Sequence, residues 1–159
     1  MSNAHVRGWQ NQRRGSQLES DVIAQVAMDA NVVAIKQHVE TQFVGRGKAI
    51  VVGEAWPDFI LFVRTSAYFF DTKSTGNAKA VSMPKDREHQ FERLRHMSAL
   101  GLPAFYLVHW RQHEVYEAFP VTIWSNWPFR CRYYEGVVRA RGDKWLGEIL
   151  EGVIDAEIK

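Results

Sequence analysis

Apolar positions along the chain change their period several times, and each change marks an element. In "RGSQLESDVIAQVAMDA" they recur at helical spacing, with Ser16 placed to cap and Glu19 three residues on, as in a capping box. "NVVAIKQHV" and "GKAIVVGE" read as strands with a glycine-bounded loop between them. "WPDFILFVR" and "AYFFDTK" are two more strands, turning at Arg64 to Ser66. "MPKDREHQFERLRHMSALG" predicts a helix, with Pro84 near its first turn and Gly101 as its stop. "LPAFYLVHW" is apolar throughout, the mark of a strand inside a sheet, whereas "EVYEAFP" alternates like an edge strand. "DKWLGEILEGVI" predicts a last helix. The order α-β-β-β-β-α-β-β plus a C-terminal helix predicts an α/β (α+β) fold, a mixed β-sheet flanked by helices.

Two places break the apolar pattern. With Leu18 at zero on a helical wheel, Val22, Val26 and Ile23 fall at about 40°, 80° and 140°, and Glu19 at about 100°, inside their arc. Glu19 is either the capping-box acid or a carboxylate aimed inward, where it needs a cation or hydrogen bonds. On the strand "AYFFDTK", Phe69, Asp71 and Lys73 share one face while Phe70, Thr72 and Ser74 share the other. A hairpin with Asp58 opposite Lys73 and Ile60 opposite Asp71 brings Asp58, Asp71 and Lys73 to one face. Any odd sum of paired residue numbers does so, and a slip of one residue undoes it. The alternative is a surface ion pair of Asp71 and Lys73 at a strand end, with Asp58 an ordinary turn residue after Pro57.

Composition adds constraints. The 159 residues fit one domain, with 46% hydrophobic and 24% charged residues, and no apolar run long enough to span a bilayer. "MSNAHVRGWQNQRRG" has no apolar stretch after its charges, which speaks against a secretory signal. A single cysteine, Cys131, allows no internal disulfide and no cysteine-based zinc site, and suits a reducing, cytoplasmic setting. The net charge is only +2, but basic residues cluster: Arg7, Arg13 and Arg14; Arg46 and Lys48; then Arg130, Arg132, Arg139, Arg141 and Lys144. Each cluster alone reads as solvated surface, and three together point to a polyanionic partner. Oxygen ligands without a His or Cys cluster suit Mg²⁺ or Mn²⁺ rather than zinc. Residues 1–12 are expected to form a flexible basic arm and residues 13–159 a single domain.

"Pro57-Asp58" and "Asp71-Thr72-Lys73" resemble the signature of the PD-(D/E)xK nuclease superfamily, in the variant with Asp where Glu is commoner. The context extends the likeness. "RRGSQLESDV", "FDTKST", "HQFERL" and "GLPAFYLVHW" resemble segments of the RecU Holliday-junction resolvases. Archaeal-type resolvases of the Hjc kind share the Gly-x-x-x-Glu helix, the Pro-Asp, the acid-x-Lys and a later Gln. One departure is "GEAWPD", where RecU carries a Ser-Thr-Thr run; the Pro-Asp form is closer to the archaeal-type enzymes. The resemblance covers roughly residues 13 to 120.

The resemblance implies a restriction-endonuclease-like core and metal ligation by Asp58, Asp71 and the Thr72 carbonyl, with Glu19 binding directly or through water. It implies that Lys73 acts on the attacking water or the phosphate and that Gln90 lies near the site. On a helix Gln90 shares a row with Leu94 and Met97. DNA contacts fall to Arg13, Arg14, Ser74, Thr75 and Lys79. A stalk-like hairpin at 38–54 would carry Arg46 and Lys48 at its glycine tip. The implied function is Mg²⁺-dependent cleavage of four-way DNA junctions, Mn²⁺ being able to substitute, by a homodimer in a bacterial cell or phage-infected host. Neither a nucleotide cofactor nor a membrane is implied. The alternatives are a PD-(D/E)xK endonuclease acting on duplex or flap DNA, and a non-catalytic DNA-binding module.

Overall fold

In a computed structural model the described residues are 17–36, 40–43, 49–52, 57–83 and 85–157. Helix α1 covers residues 17–27. It is followed by β1 (Val32–Lys36), β2 (Glu40–Phe43), β3 (Ala49–Val52), β4 (Phe59–Val63), β5 (Ser66–Thr75) and β6 (Ala80–Ser82). A 3-10 turn at Lys85–Arg87 leads into α2 (Glu88–Ala99), then β7 (Ala104–Trp110) and β8 (Val115–Pro120). The chain closes with β9 (Arg130–Arg132), β10 (Val138–Ala140) and α3 (Trp145–Glu157).

Six strands form the central sheet in the order β1-β4-β5-β7-β8-β10. Only β5 and β7 run parallel, which makes the sheet mixed. Alternation along the strands sends side chains to two cores. Phe59, Leu61, Phe70, Phe105 and Leu107 pack with Val22 of α1 and with Trp145, Ile149 and Val153 of α3. Phe69, Tyr106, Val108, Trp110 and Phe119 pack on the opposite face with Phe91 and Leu94 of α2. The rings of Phe59, Phe70 and Phe105 stack across three neighbouring strands at 5.3 and 5.0 Å. The result is the mixed α/β architecture the sequence predicts, a mixed sheet with helices on both faces. It is consistent with a restriction-endonuclease-like fold.

The last turn of α2 ends as its sequence dictates. Gly101 takes φ +78, and the amides of Leu100, Gly101 and Leu102 return to carbonyls of the final turn. Three features depart from expectation. β8 is not an edge strand, because Val138–Ala140 pairs along it and becomes the edge. The span taken as a loop between the first two strands includes Glu40–Phe43, which pairs with Ala49–Val52 in a separate two-stranded sheet. The β4–β5 hairpin pairs Ile60 with Phe69 and Val63 with Ser66, not Ile60 with Asp71. Arg64, at φ 54, closes a two-residue turn with Thr65, so Ser66 already belongs to the strand. The slip is two residues, so the pairing sum stays odd and Asp58 and Asp71 keep to one side.

Among the described residues no helix is long and apolar enough to cross a membrane.

Candidate active site

Asp58 follows buried Pro57 at the entry to β4, and Asp71 lies in the middle of β5. Continuing the observed register sets the two opposite each other. The Asp58 amide donates to Asp71 Oδ1 at 2.8 Å. In return, the Thr72 amide and hydroxyl donate to Asp58 Oδ2 at 2.8 and 2.9 Å. Each carboxylate thus spends one oxygen on fixing the other strand. Asp71 Oδ2 is buried and has no hydrogen-bond partner among the described residues.

Asp71 is fully buried. Burial, reinforced by the neighbouring Asp58, raises its carboxyl from 3.8 to about 7, against the opposing pull of Lys73, the Asp58 amide and Arg87. A buried carboxylate oxygen with no donor among the described residues, beside a second carboxylate, calls for more positive charge than Lys73 and Arg87 bring to it. A divalent cation with oxygen ligands fits that deficit, and the donor set matches Mg²⁺ or Mn²⁺ chemistry. Lys73 is half-buried, two residues further along the same face.

Next to Asp71 in the parallel ladder stands Tyr106. Its hydroxyl is buried without a hydrogen-bond partner among the described residues, and burial, with Asp71 second, holds its proton more tightly than usual. Gln90 is buried on the inner face of α2 with Phe91 and Leu94, and its Oε1 has no hydrogen-bond partner among the described residues. Three polar atoms on the α2 side of the sheet are therefore left over by the fold itself. A folded chain rarely tolerates this away from a site.

The remaining candidates that fall among the described residues are on α1, on β5 and in the loop after it. Glu19 is ion-paired with Lys36 of β1 at 2.7 Å, and no cluster of three potential metal-ligating acids, histidines or cysteines occurs among the described residues. Thr75 turns its hydroxyl to the Asn77 amide at 3.0 Å, in the loop that carries exposed Lys79. Ser74 is half-buried on the other face. Arg13, Arg14, Arg46 and Lys48 lie outside the described residues. The hairpin strands that flank Arg46 and Lys48 are β2 and β3.

Two residues at the site are not visible from sequence reasoning. Arg87, at the start of α2, is close enough to ease the ionisation of Asp71. Tyr106 reads as one more aromatic residue in an apolar strand, and only the parallel pairing reveals its place.

Comparison with family models finds no match, and comparison with curated proteins finds none. Among solved structures, one similar chain is the Holliday junction resolvase Hjc of the archaeal hyperthermophile Archaeoglobus fulgidus. It is 15% identical, has a TM-score of 0.51, and is matched over 87% of this chain and 94% of that one. A bacterial homing endonuclease, I-Ssp6803I, is 13% identical with a TM-score of 0.45, over 92% and 96%. The likeness to Hjc is one of fold: this chain carries the same kind of helix-flanked mixed sheet along nearly its whole length.

Proposed function

We propose that the chain is a metal-dependent endodeoxyribonuclease of the PD-(D/E)xK kind that resolves four-way DNA junctions. The observation that carries this reading is the cross-bonding of the two strands, the Asp58 amide to Asp71 and Thr72 to the Asp58 carboxylate, which leaves Asp71 Oδ2 buried and without a hydrogen-bond partner among the described residues. The shared fold with an archaeal resolvase supports it, and so does the Pro-Asp and Asp-x-Lys spacing.

Asp58 and Asp71, with the Thr72 carbonyl, would hold Mg²⁺, which supplies positive charge to a phosphodiester and acidity to a water molecule. The chain's own residues do the rest. The hairpin hydrogen bonds fix both carboxylates, so no side-chain entropy is lost on loading. Lys73 sits two residues from Asp71 and offers an ammonium to the charge that grows on phosphorus. Gln90 and Tyr106 present buried polar atoms able to orient water. Hydrolysis adds water across the P–O3′ bond and leaves a 5′-phosphate and a 3′-hydroxyl. Glu19, engaged by Lys36, would join only by exchanging that partner. Paired symmetric cuts within one encounter need two sites related by a two-fold axis, which a homodimer would supply. The single, buried Cys131 suits a cytoplasmic setting.

Incubation with a synthetic four-way junction, a flap and a plain duplex, with and without Mg²⁺, tests the proposal. Symmetric nicks in the junction are expected only with metal. Asp58→Asn and Asp71→Asn should each reduce cutting at least 100-fold on the order of a lost electrostatic contact. Equal cutting of plain duplex would replace junction resolution by general duplex cleavage. No metal-dependent cutting of any substrate would remove the nuclease reading.

A further inference from the structure

The basic residues near the C-terminus are not used by the catalytic acids. Five of them are Arg130, Arg132, Arg139, Arg141 and Lys144, and all are exposed. Arg139 and Arg141 line a cleft of about 380 Å³ with Tyr133, Tyr134 and Glu148, floored by Val115. That volume suits a single nucleotide or similar small group.

The cleft is built from aromatic and cationic groups held in place. His113 stacks on Tyr133 at 4.0 Å with the rings 6° from parallel, and His113 Nε2 is bonded to the Ala78 carbonyl oxygen at 2.9 Å. Trp110 meets Tyr133 edge-on. Tyr134 lies against Tyr133 at 4.2 Å and is itself 59% exposed, at φ 73. The Arg139 guanidinium covers part of the Tyr134 ring at 4.0 Å. Its Nε also reaches Glu117, which is buried and takes the amides of Tyr134 and Gly136. Arg141 acts on the Tyr133 hydroxyl, and among the described residues no carboxylate is ion-paired with it.

A large ring held out to solvent in a left-handed backbone conformation, backed by a guanidinium and a second braced ring, is a stacking surface for a further planar group. The register also relates it to the catalytic acids. Lys73 neighbours Val108, Val108 faces Glu117, and Glu117 faces Arg139, in one row on the α2 side of the sheet. Three strand spacings make this roughly 14 Å. Val108 and Glu117 are buried between the two ends, so a DNA strand would pass around this row over the surface and cover at least about four stacked base steps.

We propose that this cleft binds an unpaired nucleotide of the DNA strand under attack, its base stacked on Tyr134 and its phosphates met by Arg139 and Arg141. Glu148 supplies an acceptor for amino and imino groups on the base edge. The inference rests on the DNA-cleaving reading and adds a preference for DNA with unpaired bases near the cut. Flap DNA offers such bases outright, and a four-way junction offers them when base pairs at its centre open.

The test compares wild type, Tyr134→Phe and the double variant Tyr134→Asn with Arg141→Gln. Asn tolerates the left-handed conformation, and Arg139 is left alone because it neutralises buried Glu117. Binding is read by fluorescence anisotropy in chelator on a blunt duplex and on the same duplex with a four-nucleotide single-stranded extension. The double variant is expected to lose about 10-fold in affinity for the extended duplex, as befits one stacked base, and to bind blunt duplex as wild type does. Tyr134→Phe, which keeps the ring, should match wild type on both. Wild-type affinity of the double variant for the extended duplex overturns the proposal, and so does an equal loss on blunt duplex. If either occurs while wild type still cuts DNA with Mg²⁺, the cleft falls and the nuclease stands. If wild type neither binds nor cuts any DNA, both fall.

Discussion

Asp71 is the residue on which most turns, because the fold makes its ionised form costly. Its carboxyl is raised from 3.8 to about 7 by burial first and Asp58 second. The folded chain therefore holds this proton more tightly than the unfolded chain. The resulting stabilisation is full below about pH 4, declines as the pH rises, and is gone once the folded carboxyl ionises near neutrality. Asp71→Asn keeps an oxygen for the Asp58 amide and removes the charge. In chelator at pH 8 the variant should be the more stable, by on the order of 2–4 kcal/mol, and the gap should close toward pH 4. Mg²⁺ should raise the melting temperature of wild type alone. Thermal unfolding at both pH values, with and without Mg²⁺, checks this; a variant melting below wild type in chelator at pH 8 contradicts it. Asp58, Asp71 and Lys73 are legible in the sequence because charge interrupts an apolar strand at alternating positions. Gln90 enters through the resemblance to the resolvases, and its helical row with Leu94 and Met97 adds that it faces the sheet. Glu19 follows the same logic: its angle on the helix puts it among apolar residues, and Lys36 on the next strand supplies the cation it needs there.

Elements of this chain are legible when they are long enough to show a period. α2, α3, β4, β5, β7 and β8 are, and their apolar faces build both cores. The hairpin register is legible only to within its parity, since the two-residue turn depends on a non-glycine residue, Arg64, taking a positive φ. β9 and β10 have three residues each, too few to display alternation, and nothing in "RCR" or "VRA" marks a strand. What attaches β10 to the sheet is long-range. Buried Glu117 accepts the Gly136 amide at 2.8 Å and is ion-paired with Arg139 at 3.3 Å. Gly136 has no room for a side chain, because a Cβ there would lie 2.3 Å from Glu117 Cγ and 2.7 Å from the Ala118 carbonyl oxygen. Gly136→Ala should therefore push this carboxylate off its donors and cost about 2 kcal/mol or more, through overpacking and a loosened buried charge. Urea unfolding measures it. A midpoint equal to wild type would mean that the loop from Tyr133 to Val137 shifts freely, and that Glu117 does not pin it.

The whole molecule poses a question of symmetry. Among the described residues one chain carries one pair of facing carboxylates, Asp58 and Asp71, and a four-way junction is resolved only when two strands are cut at matching positions. If each subunit of a homodimer cuts one strand, the two sites can be separated by mixing subunits. Asp58→Asn retains Pro57 and the amide that bonds Asp71, so the hairpin stays intact and the change is confined to the carboxylate. Wild type exchanged with a ninefold excess of this variant places nearly every active subunit beside an inactive one. The expected product is a junction nicked in one strand, which persists until a second encounter, with paired cuts falling far more steeply than single nicks. Sedimentation of the protein with and without junction DNA gives the subunit count independently. Compared at equal extent of cutting, a monomer that cuts both strands in successive visits would yield the same ratio of single to paired nicks at every mixing proportion. That result would leave the two acids as the cutting site and remove the two-fold axis from the mechanism. The fold predicts the contrast because its acids sit inside a single hairpin: nothing in the site requires a neighbour for one cut, and only the timing of the second cut reports the partner.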